Sequence, residues 1–222
     1  MSSHEYKTHS LMIDDLVIAD EKLTDLIKEI ADQYLKNDRA WVVGFSGGKD
    51  STVILSLIFQ ALTTLTKKQL SKNVYVVCSD TLVETPVVVG LVREVLNSVQ
   101  ISANAKGIPL VTQMVVPDTN NTFWSNLLGK GYPAPTKGFR WCTERMKIKP
   151  VTAFIQETVS KHGEVIVALG SRKEESSARS ASIDKHSIKG SVLARHSSLS
   201  NAFTYMPIEN WTADDVWQYL LS

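Results

Sequence analysis

Hydrophobic residues along the chain form short continuous runs that alternate with longer amphipathic stretches. Continuous apolar runs bounded by polar residues are typical of parallel strands that are buried on both faces. Four runs have this character: residues 40–45, 73–78, 109–116 and 164–169. Apolar residues at helical spacing occupy three stretches between them: residues 51–66, 85–106 and 149–161. The alternation predicts an α/β fold, with a parallel twisted sheet flanked by helices and right-handed connections.

Three regions are predicted along the chain. Residues 1–39 form an N-terminal helical segment, in which apolar spacing indicates a helix over about 18–36. Residues 40–205 carry the alternating runs and form the main domain. Residues 206–222 begin a C-terminal helical region, with Thr212 in the position of an N-cap. Because this helix starts so near the last residue, we expect the region to be truncated in this chain.

The turn after the first apolar run, residues 46–52, carries the most informative chemistry. A strand that opens through glycines into a helix leaves unpaired backbone N–H groups at the helix start, where the helix dipole also attracts anions. Gly47 and Gly48 lack the Cβ atoms that would keep a phosphate away from the backbone. Further donors and a positive charge come from the neighbouring side chains: Ser46, Lys49, Ser51 and Thr52. The turn therefore predicts a phosphate site.

This turn differs from a Walker-type P-loop, which requires glycine at its first position and Ser or Thr after the lysine. Val43 occupies the first position here, and Asp50 follows Lys49. Two further polar clusters, residues 79–81 and 170–172, follow other predicted strands. Ligands of parallel sheets bind outside the carboxyl ends of the strands, so we expect these clusters and the turn to form one active site.

Residues 171–204 contain ten serines, many charges and little periodicity. A long stretch without regular structure inside a domain is usually functional or disordered. We therefore expect a mobile loop over about 171–204, and the sequence leaves open whether it gates a substrate site or is simply disordered.

Composition and charge narrow the class of protein. The chain has 222 residues, 43% of them hydrophobic, and a net charge of +1. It lacks a signal-peptide pattern and any apolar run of about 20 residues, so we expect a cytoplasmic protein with no membrane partner. The second half is locally basic, notably at 137–149 and 172–195, which suits a phosphate-rich ligand but is also typical of a solvated loop surface.

Cys142 lies in a basic string, residues 139–150. The nearby cations Arg140, Arg145 and Lys147 would favour its thiolate, which is the nucleophilic and metal-binding form. The alternative is a buried structural cysteine, the usual role of a lone thiol. The other cysteine, Cys78, is far away in sequence, so the pair does not indicate a disulfide scaffold.

Four motifs in this order resemble the PP-loop ATP pyrophosphatases of the phosphoadenosine-phosphosulfate (PAPS) reductase family. They are Ser-Gly-Gly-Lys-Asp-Ser at 46–51, Cys-Thr-Glu-x-x-Lys-x-x-Pro at 142–150, Gly-x-Arg-x-x-Glu-Ser-x-x-Arg at 170–179 and Trp-Thr-x-x-Asp-Val-Trp at 211–217. Within that family the sequence is most similar to the DndC and SspD type, the ATP pyrophosphatase components of bacterial DNA phosphorothioation systems. The resemblance implies a Rossmann-like fold of the adenine nucleotide α-hydrolase type.

The resemblance also implies an activity and a set of site residues. ATP would be hydrolysed to AMP and pyrophosphate in order to activate the DNA backbone for sulfur incorporation, so the chain would be the hydrolase within a sulfurtransferase system. The implied catalytic residues are Lys49, Asp50 and Arg172. The implied ATP-binding and phosphate-binding residues are Ser46, Gly47, Gly48, Ser51, Thr52, Asp80, Gly170 and Arg179. The residues implied for a substrate or cluster are Cys142, Arg140 and Lys147.

The implied cofactors are ATP, Mg²⁺ oriented by Asp50, and a [4Fe–4S] cluster held in part by Cys142. A cluster normally takes four thiolates and this chain has two cysteines, so its other ligands would lie outside the chain. The implied partners are DNA, contacted through the basic second half and partner proteins, and a cysteine desulfurase. One alternative is a PAPS or APS reductase, which the intact PP-loop and the lack of a C-terminal cysteine tail disfavour. Another is a non-catalytic ATP-binding regulatory module, which Lys49 and Asp50 disfavour only weakly.

Overall fold

A six-stranded sheet forms the centre of the protein, for which a computed structural model describes residues 21–222. Its strands in spatial order are β3, β2, β1, β4, β6 and β5. All neighbouring strands are parallel except the β5–β6 pair. The strands are β1 Ala40–Gly44, β2 Val74–Ser79, β3 Leu110–Val115, β4 Val165–Ala168, β5 Leu193–Arg195 and β6 Ala202–Tyr205. The four predicted strands and the mostly parallel sheet are confirmed, although β3 lies at the edge of the sheet and only its Leu110 is buried.

Helices flank the sheet and connect its parallel strands. They are α1 Glu21–Leu35, α2 Lys49–Thr63, α3 Pro86–Lys106, the single turn α4 Trp141–Thr143, α5 Lys149–His162, α6 Ser177–His186 and α7 Ala213–Leu221. The predicted first helix thus corresponds to α1, with its residues 18–20 outside the described part of the chain. Thr212 caps α7 as predicted, in a reciprocal capping box with Asp215. Within residues 21–222, none of the helices combines the length and the apolar character needed to cross a membrane.

The core consists of two layers, one on each face of the sheet. Helices α1, α2, α3 and α7 pack their apolar sides against one face, and α5 packs against the other. Trp41 in β1 is fully buried between the rings of Tyr34 and Tyr205, with ring centroids 6.0 and 5.6 Å away in edge-on geometry. Such edge-to-face contacts add to the stabilisation from burial. Strand β1 is therefore held firmly, which fixes the position of the loop that follows it.

The segment 171–204 differs from its prediction. It contains a 3₁₀ turn at Lys173–Glu175, helix α6 and strand β5, and it runs into β6. Strand β6 pairs in parallel with β4, from Val165 opposite Ala202 to Ala168 opposite Tyr205. The expectation of a stretch without regular structure is therefore wrong, because these strands are only three or four residues long and their pairing with the sheet specifies them better than their own sequence does. A gating role for the segment stays a prediction.

The order of the strands leaves an opening at the carboxyl edge of the sheet. Strand β1 lies between β2 and β4. The chain leaves β1 towards β2 on one side and later returns to add β4 on the other side. The loops after β1 and β4 therefore diverge at a topological switch point, where open parallel sheets bind their ligands.

Candidate active site

Two glycines shape the loop between β1 and α2. Gly47 has φ 74°, a left-handed conformation that favours glycine, and a Cβ added there would lie 2.8 Å from Cγ2 of Val92. Gly48 is the N-cap of α2 and offers no side-chain cap to the helix. The first N–H groups of α2 thus remain directed out of the helix start, as an anion site requires. The helix begins at Lys49, two residues before the predicted position 51.

Hydroxyl groups hold this loop in shape. The N–H of Ser46 donates to Oγ of Ser51 over 3.2 Å, and that hydroxyl donates to the carbonyl oxygen of Gly48 over 2.8 Å. Thr52 Oγ1 donates to the same carbonyl oxygen over 3.0 Å. These bonds brace the turn from inside, so Ser51 and Thr52 help to organise the loop, and Ser51 also lines the cleft.

Asp50 links two cations at the mouth of the loop. Its Oδ1 accepts from Nε of Arg172 and its Oδ2 accepts from Nζ of Lys49, both over 2.7 Å. Burial alone would raise the pKa of Asp50, but the hydrogen bonds from Lys49 and Arg172 outweigh it and leave the pKa below its usual value. The carboxylate is therefore ionised and holds both cationic side chains beside the helix start.

Gly170 brings the end of β4 into direct contact with α2. A Cβ at this position would lie 2.6 Å from the carbonyl oxygen of Asp50 and 2.7 Å from its carbonyl carbon. These are backbone atoms of the helix start, which cannot move aside as a flexible side chain could. The close approach therefore requires glycine, as the predicted convergence of strand ends implies.

The motif that follows, residues 170–179, folds back on itself. The N–H of Arg172 donates to Oε1 of Glu175 over 2.8 Å, and Glu175 Oε2 pairs with Nη2 of Arg179 at 3.4 Å. Nη1 of Arg179 also donates to Oγ of Ser171 over 2.9 Å. Glu175 thus organises the turn and directs the guanidinium of Arg179 towards the cleft.

A cleft of about 400 Å³ lies between these elements. Its polar end is lined by Ser46, Gly48, Asp50, Ser51, Gly170, Ser171 and Arg179. Its apolar end is lined by Val77, Cys78, Val88, Val89, Val92, Met114, Val151 and Leu169. The lining also includes the ion-paired side chains Glu175, Glu84 and Lys147. Helix-start amides and Arg179 next to apolar side chains suit the two parts of a nucleotide, its phosphates and its base.

Asp80 does not line this cleft, although it directly follows β2. Its side chain is 6% exposed, and Oδ1 accepts from the N–H of Leu82 over 2.9 Å while Oδ2 pairs with Arg93 at 3.5 Å. Leu82 has φ 63°, which is uncommon for a residue with a side chain. Asp80 therefore stabilises an uncommon turn, and its expected position beside a nucleotide stays a prediction.

The cysteine motif at 139–150 is divided between the cleft and other partners. Lys147 lines the cleft and pairs with Glu84 at 3.3 Å, whereas Arg140 and Cys142 lie outside the lining. Arg145 donates to Oδ1 of Asn126 and stacks its guanidinium over the ring of Tyr132. Two of the three cations expected around the thiol of Cys142 thus have carboxylate, amide or aromatic partners elsewhere.

Cys78 is a lining residue that the motifs did not indicate. It lies at the end of β2, it is 4% exposed, and burial together with the carboxylates of Glu84 and Asp80 raises the pKa of its thiol to about 11. Cys78 is therefore a neutral thiol at the apolar end of the cleft. Its place directly before Ser79 at a predicted strand end was the available signal, by the same rule that located the other loops.

The residues of the described part do not fit a metal centre. Between residues 21 and 222, no group of three or more His, Cys, Asp or Glu side chains is arranged to hold a metal ion. Both carboxylate oxygens of Asp50 accept from cations, so in this arrangement it is not open to Mg²⁺. Cys78 and Cys142 are both free thiols, and they alone do not supply the four ligands of an iron–sulfur cluster.

The sheet order, the loop and the cleft define a Rossmann-like fold of the adenine nucleotide α-hydrolase type. The chain belongs to the phosphoadenosine phosphosulfate reductase domain family, whose family model matches residues 40–222. It is also similar to an uncharacterized protein of Methanocaldococcus jannaschii, with 30% identity over 213 residues. That alignment covers 94% of this chain and 38% of the other protein, so the chain spans well under half the length of that relative.

Two solved structures share the fold. PAPS reductase from Candida auris, in a phosphate complex, has a TM-score of 0.52 and 18% identity, over 92% of this chain and 87% of its own. A variant of FMN adenylyltransferase from Candida glabrata has a TM-score of 0.50 and 15% identity, over 93% of this chain and 60% of its own. At these identities the likeness establishes the fold alone. Membership of the reductase domain family supports a nucleotide-processing enzyme at this coarse level.

Proposed function

We propose that this chain is an ATP pyrophosphatase, which cleaves ATP into AMP and pyrophosphate in the cleft at the carboxyl edge of the sheet. One observation carries the proposal: the uncapped start of α2, Arg179 and a set of apolar side chains line one cleft, and the lining residue Asp50 holds the side chains of Lys49 and Arg172, which lie outside the lining. The triphosphate would bind the first amides of α2, and the adenine ring would pack against the apolar end.

The side chains at the polar end would act by position and charge. Attack on the α-phosphorus places negative charge on the departing pyrophosphate, and cations together with fixed N–H groups stabilise that charge. Lys49 would exchange its contact with Asp50 for a phosphate oxygen, while Arg179 would approach from the opposite wall. Asp50 would hold Lys49 and Arg172 in place before the nucleotide arrives. Magnesium bound to the nucleotide would be held mainly by phosphate oxygens and water.

With DNA present, a backbone phosphate oxygen would attack the α-phosphorus in place of water, as in the phosphorothioation systems that the sequence resembles. This step would release pyrophosphate and leave an adenylylated DNA phosphate, from which sulfur at the sulfide level would displace AMP. The support for a DNA acceptor in the structure is a set of exposed aromatic and cationic residues in the segment between β3 and α5, here called the basic aromatic surface: Trp124, Lys137, Phe139 and Arg140. Trp124 is 58% exposed and Phe139 43% exposed, and the two cations of the segment are also exposed. Exposed aromatic rings next to cations suit base stacking and backbone contacts with a single strand. A cysteine desulfurase would supply the sulfur.

Product analysis with α-labelled ATP, Mg²⁺ and the purified chain tests the activity. The expected products are labelled AMP and an equal amount of pyrophosphate, formed faster when a DNA oligonucleotide is present. Labelled ADP would contradict the pyrophosphatase assignment. A lack of ATP turnover together with binding of a sulfonucleotide would favour a PAPS or APS reductase, and turnover indifferent to DNA would count against phosphorothioation.

Variants of the loop test whether turnover occurs in this cleft. Lys49→Ala and Asp50→Ala should each abolish pyrophosphate release while the far-ultraviolet circular dichroism stays unchanged. Lys68→Ala is the matched control, because Lys68 is exposed in the turn after the opposite end of α2. Unchanged turnover in both loop variants would exclude the assigned site.

A further inference from the structure

Glu174 joins the phosphate loop to the C-terminal helix. It lies in the 3₁₀ turn Lys173–Glu175 that follows β4. Its Oε2 accepts from Nη1 of Arg172 over 2.7 Å and from the N–H of Ala213 over 2.6 Å. Ala213 is the first residue of α7. A single carboxylate oxygen thus connects a buried arginine of the candidate active site with the start of a helix.

The guanidinium of Arg172 depends on a small set of fixed acceptors. Its side chain is 4% exposed and contacts Asp50, Glu174 and the carbonyl oxygen of Trp211, which accepts from Nη1 over 3.1 Å. A buried cation needs ionised, hydrogen-bonded partners to hold a defined orientation. Asp50 accepts hydrogen bonds from both Arg172 and Lys49. Glu174 is therefore the carboxylate that binds a second nitrogen of the Arg172 guanidinium.

Helix α7 in turn fixes Glu174 relative to α2. The hydroxyl of Tyr219 donates to Oγ of Ser56 over 2.8 Å and accepts from Nε2 of Gln60 over 3.1 Å. Val216 is fully buried in the same contact. A carboxylate at the start of a helix is stabilised by the helix dipole and by the free N–H groups there. The placement of α7 on α2 thereby determines where Glu174 meets Arg172.

We propose that Glu174 is a positioning residue of the phosphate site, which orients Arg172 and, through Asp50, Lys49. It also couples the packing of α7 to the geometry of the loop. Glu174 occupies an unspecified position of the motif at 170–179, where Glu175 is the motif glutamate. The proposal rests on the proposed ATP cleavage for its kinetic test, and a second test is independent of turnover.

The kinetic test compares three variants in pyrophosphate release. Glu174→Ala should lower kcat on the order of 10- to 100-fold and change KM for ATP by less than about threefold, because the amides of α2 still bind the phosphates. Glu174→Gln retains an oxygen acceptor but not the charge, so it should recover only part of the rate. Glu164→Ala is the matched control, because Glu164 is 46% exposed against 52% for Glu174 and also holds an arginine, Arg39, at 2.7 Å. It should leave kcat unchanged.

The second test is hydrogen exchange, which needs no activity. Glu174→Ala should speed exchange in peptides from both ends of the connection, residues 46–55 and 209–216, whereas Glu164→Ala should affect neither. Faster exchange confined to 209–216, or a kcat of Glu174→Ala within twofold of the unmodified chain, would overturn the proposal. If the unmodified chain releases no pyrophosphate, the proposed function fails and the exchange pattern alone decides the role of Glu174.

Discussion

Two motifs are predicted from the sequence to take part in catalysis or binding, and they lie in different parts of the structure. They are residues 46–52 and residues 139–150. The first lies entirely at the carboxyl edge of the sheet, with its loop, helix start and Asp50 in or beside one cleft. The second contributes Lys147 to the cleft, while Arg140 and Cys142 lie outside the lining. The sequence therefore predicted the location of the loop after β1, whereas only part of residues 139–150 lies at the cleft.

The regular elements around each motif account for the difference. Residues 46–52 join a buried strand to a long helix, so the geometry of the strand–helix unit determines where their side chains point. Residues 139–150 pass through the single turn α4 and a π-helical turn at Glu144–Ile148. Without a strand end to orient them, their side chains bind partners in other segments, such as Asn126 and Glu84. A motif that joins a buried strand to a long helix therefore predicts the location of a site better than a motif that runs through short helical turns.

Glycine substitutions give the largest contrast between the two regions. Gly170→Ala forces a Cβ against the backbone of Asp50, so we expect pyrophosphate release to fall on the order of 100-fold and stability to fall by about 1–3 kcal/mol. Gly138→Ala in the other region meets no atom within 4 Å and should change stability by less than about 0.5 kcal/mol. Chemical denaturation and the pyrophosphate assay measure both variants. Equal effects would refute the importance of the close approach at Gly170.

Charge reversal on the basic aromatic surface tests whether the second region binds nucleic acid. Lys137→Glu with Arg140→Glu should weaken binding of a single-stranded DNA oligonucleotide and reduce the slope of log affinity against log salt by about 0.7 for each lost phosphate contact. ATP cleavage without DNA should stay unchanged, because neither side chain lines the cleft. Lys67→Glu with Lys68→Glu, two exposed lysines after α2, provides a control of equal charge. Equal losses in both double variants would indicate non-specific attraction.

The two cysteines should differ in their reactivity, which is a smaller contrast between the regions. Alkylation followed by peptide mass spectrometry measures it. At pH 8 iodoacetamide should label half-buried Cys142 before buried Cys78, whose pKa of about 11 keeps it protonated. Labelling of Cys78 should accelerate as the pH approaches 11. ATP should protect Cys78, which lines the cleft, and leave Cys142 unprotected. Protection of Cys142 alone would place the nucleotide in the other region.

The thiol of Cys78 should also cause a pH dependence of the free energy of unfolding. The pKa of Cys78 rises from its usual 9.0 to about 11 in the folded chain, so the folded state retains its proton more strongly than the unfolded state. This contribution to stability is fully present below pH 9 and is lost as the pH rises towards 11. Cys78→Ala should remove that loss in denaturation curves at pH 8 and about 10.5, whereas Cys142→Ala should retain it. Identical pH profiles for all three chains would exclude the effect.

Much of the fold was predictable because its central strands are continuous apolar runs. Both faces of the central strands are covered, so residues such as Trp41, Val76 and Ile166 are buried. A continuous apolar run therefore identifies such a strand without knowledge of its neighbours. Strands β5 and β6 were missed because three or four residues among serines carry no such pattern. Their existence depends on pairing with β4, which is a tertiary effect.

The sequence predicted which loops form the candidate site, but not the directions of their side chains. The strand-end rule brought Gly48, Asp50 and Gly170 together, but it did not predict that the carboxylate of Asp80, at the end of β2, turns back to the N–H of Leu82. Glu174 could not be found from sequence, since its role depends on a helix start 39 residues further along the chain. Positions fixed by a strand and a helix can be predicted, whereas side-chain directions set by distant partners require the structure.

Pyrophosphate release by Lys49→Ala and Cys142→Ser, measured side by side with the unmodified chain, distinguishes the loop after β1 from the cysteine motif as the place of ATP cleavage. Lys49→Ala should abolish the conversion of ATP to AMP, because the proposed role of Lys49 is to stabilise the departing pyrophosphate at the start of α2. Cys142→Ser should retain the rate, since its thiol lies outside the cleft lining, whereas Lys49, also outside the lining, is bound to the lining residue Asp50. The opposite result, with activity lost in Cys142→Ser and retained in Lys49→Ala, would overturn the proposed site.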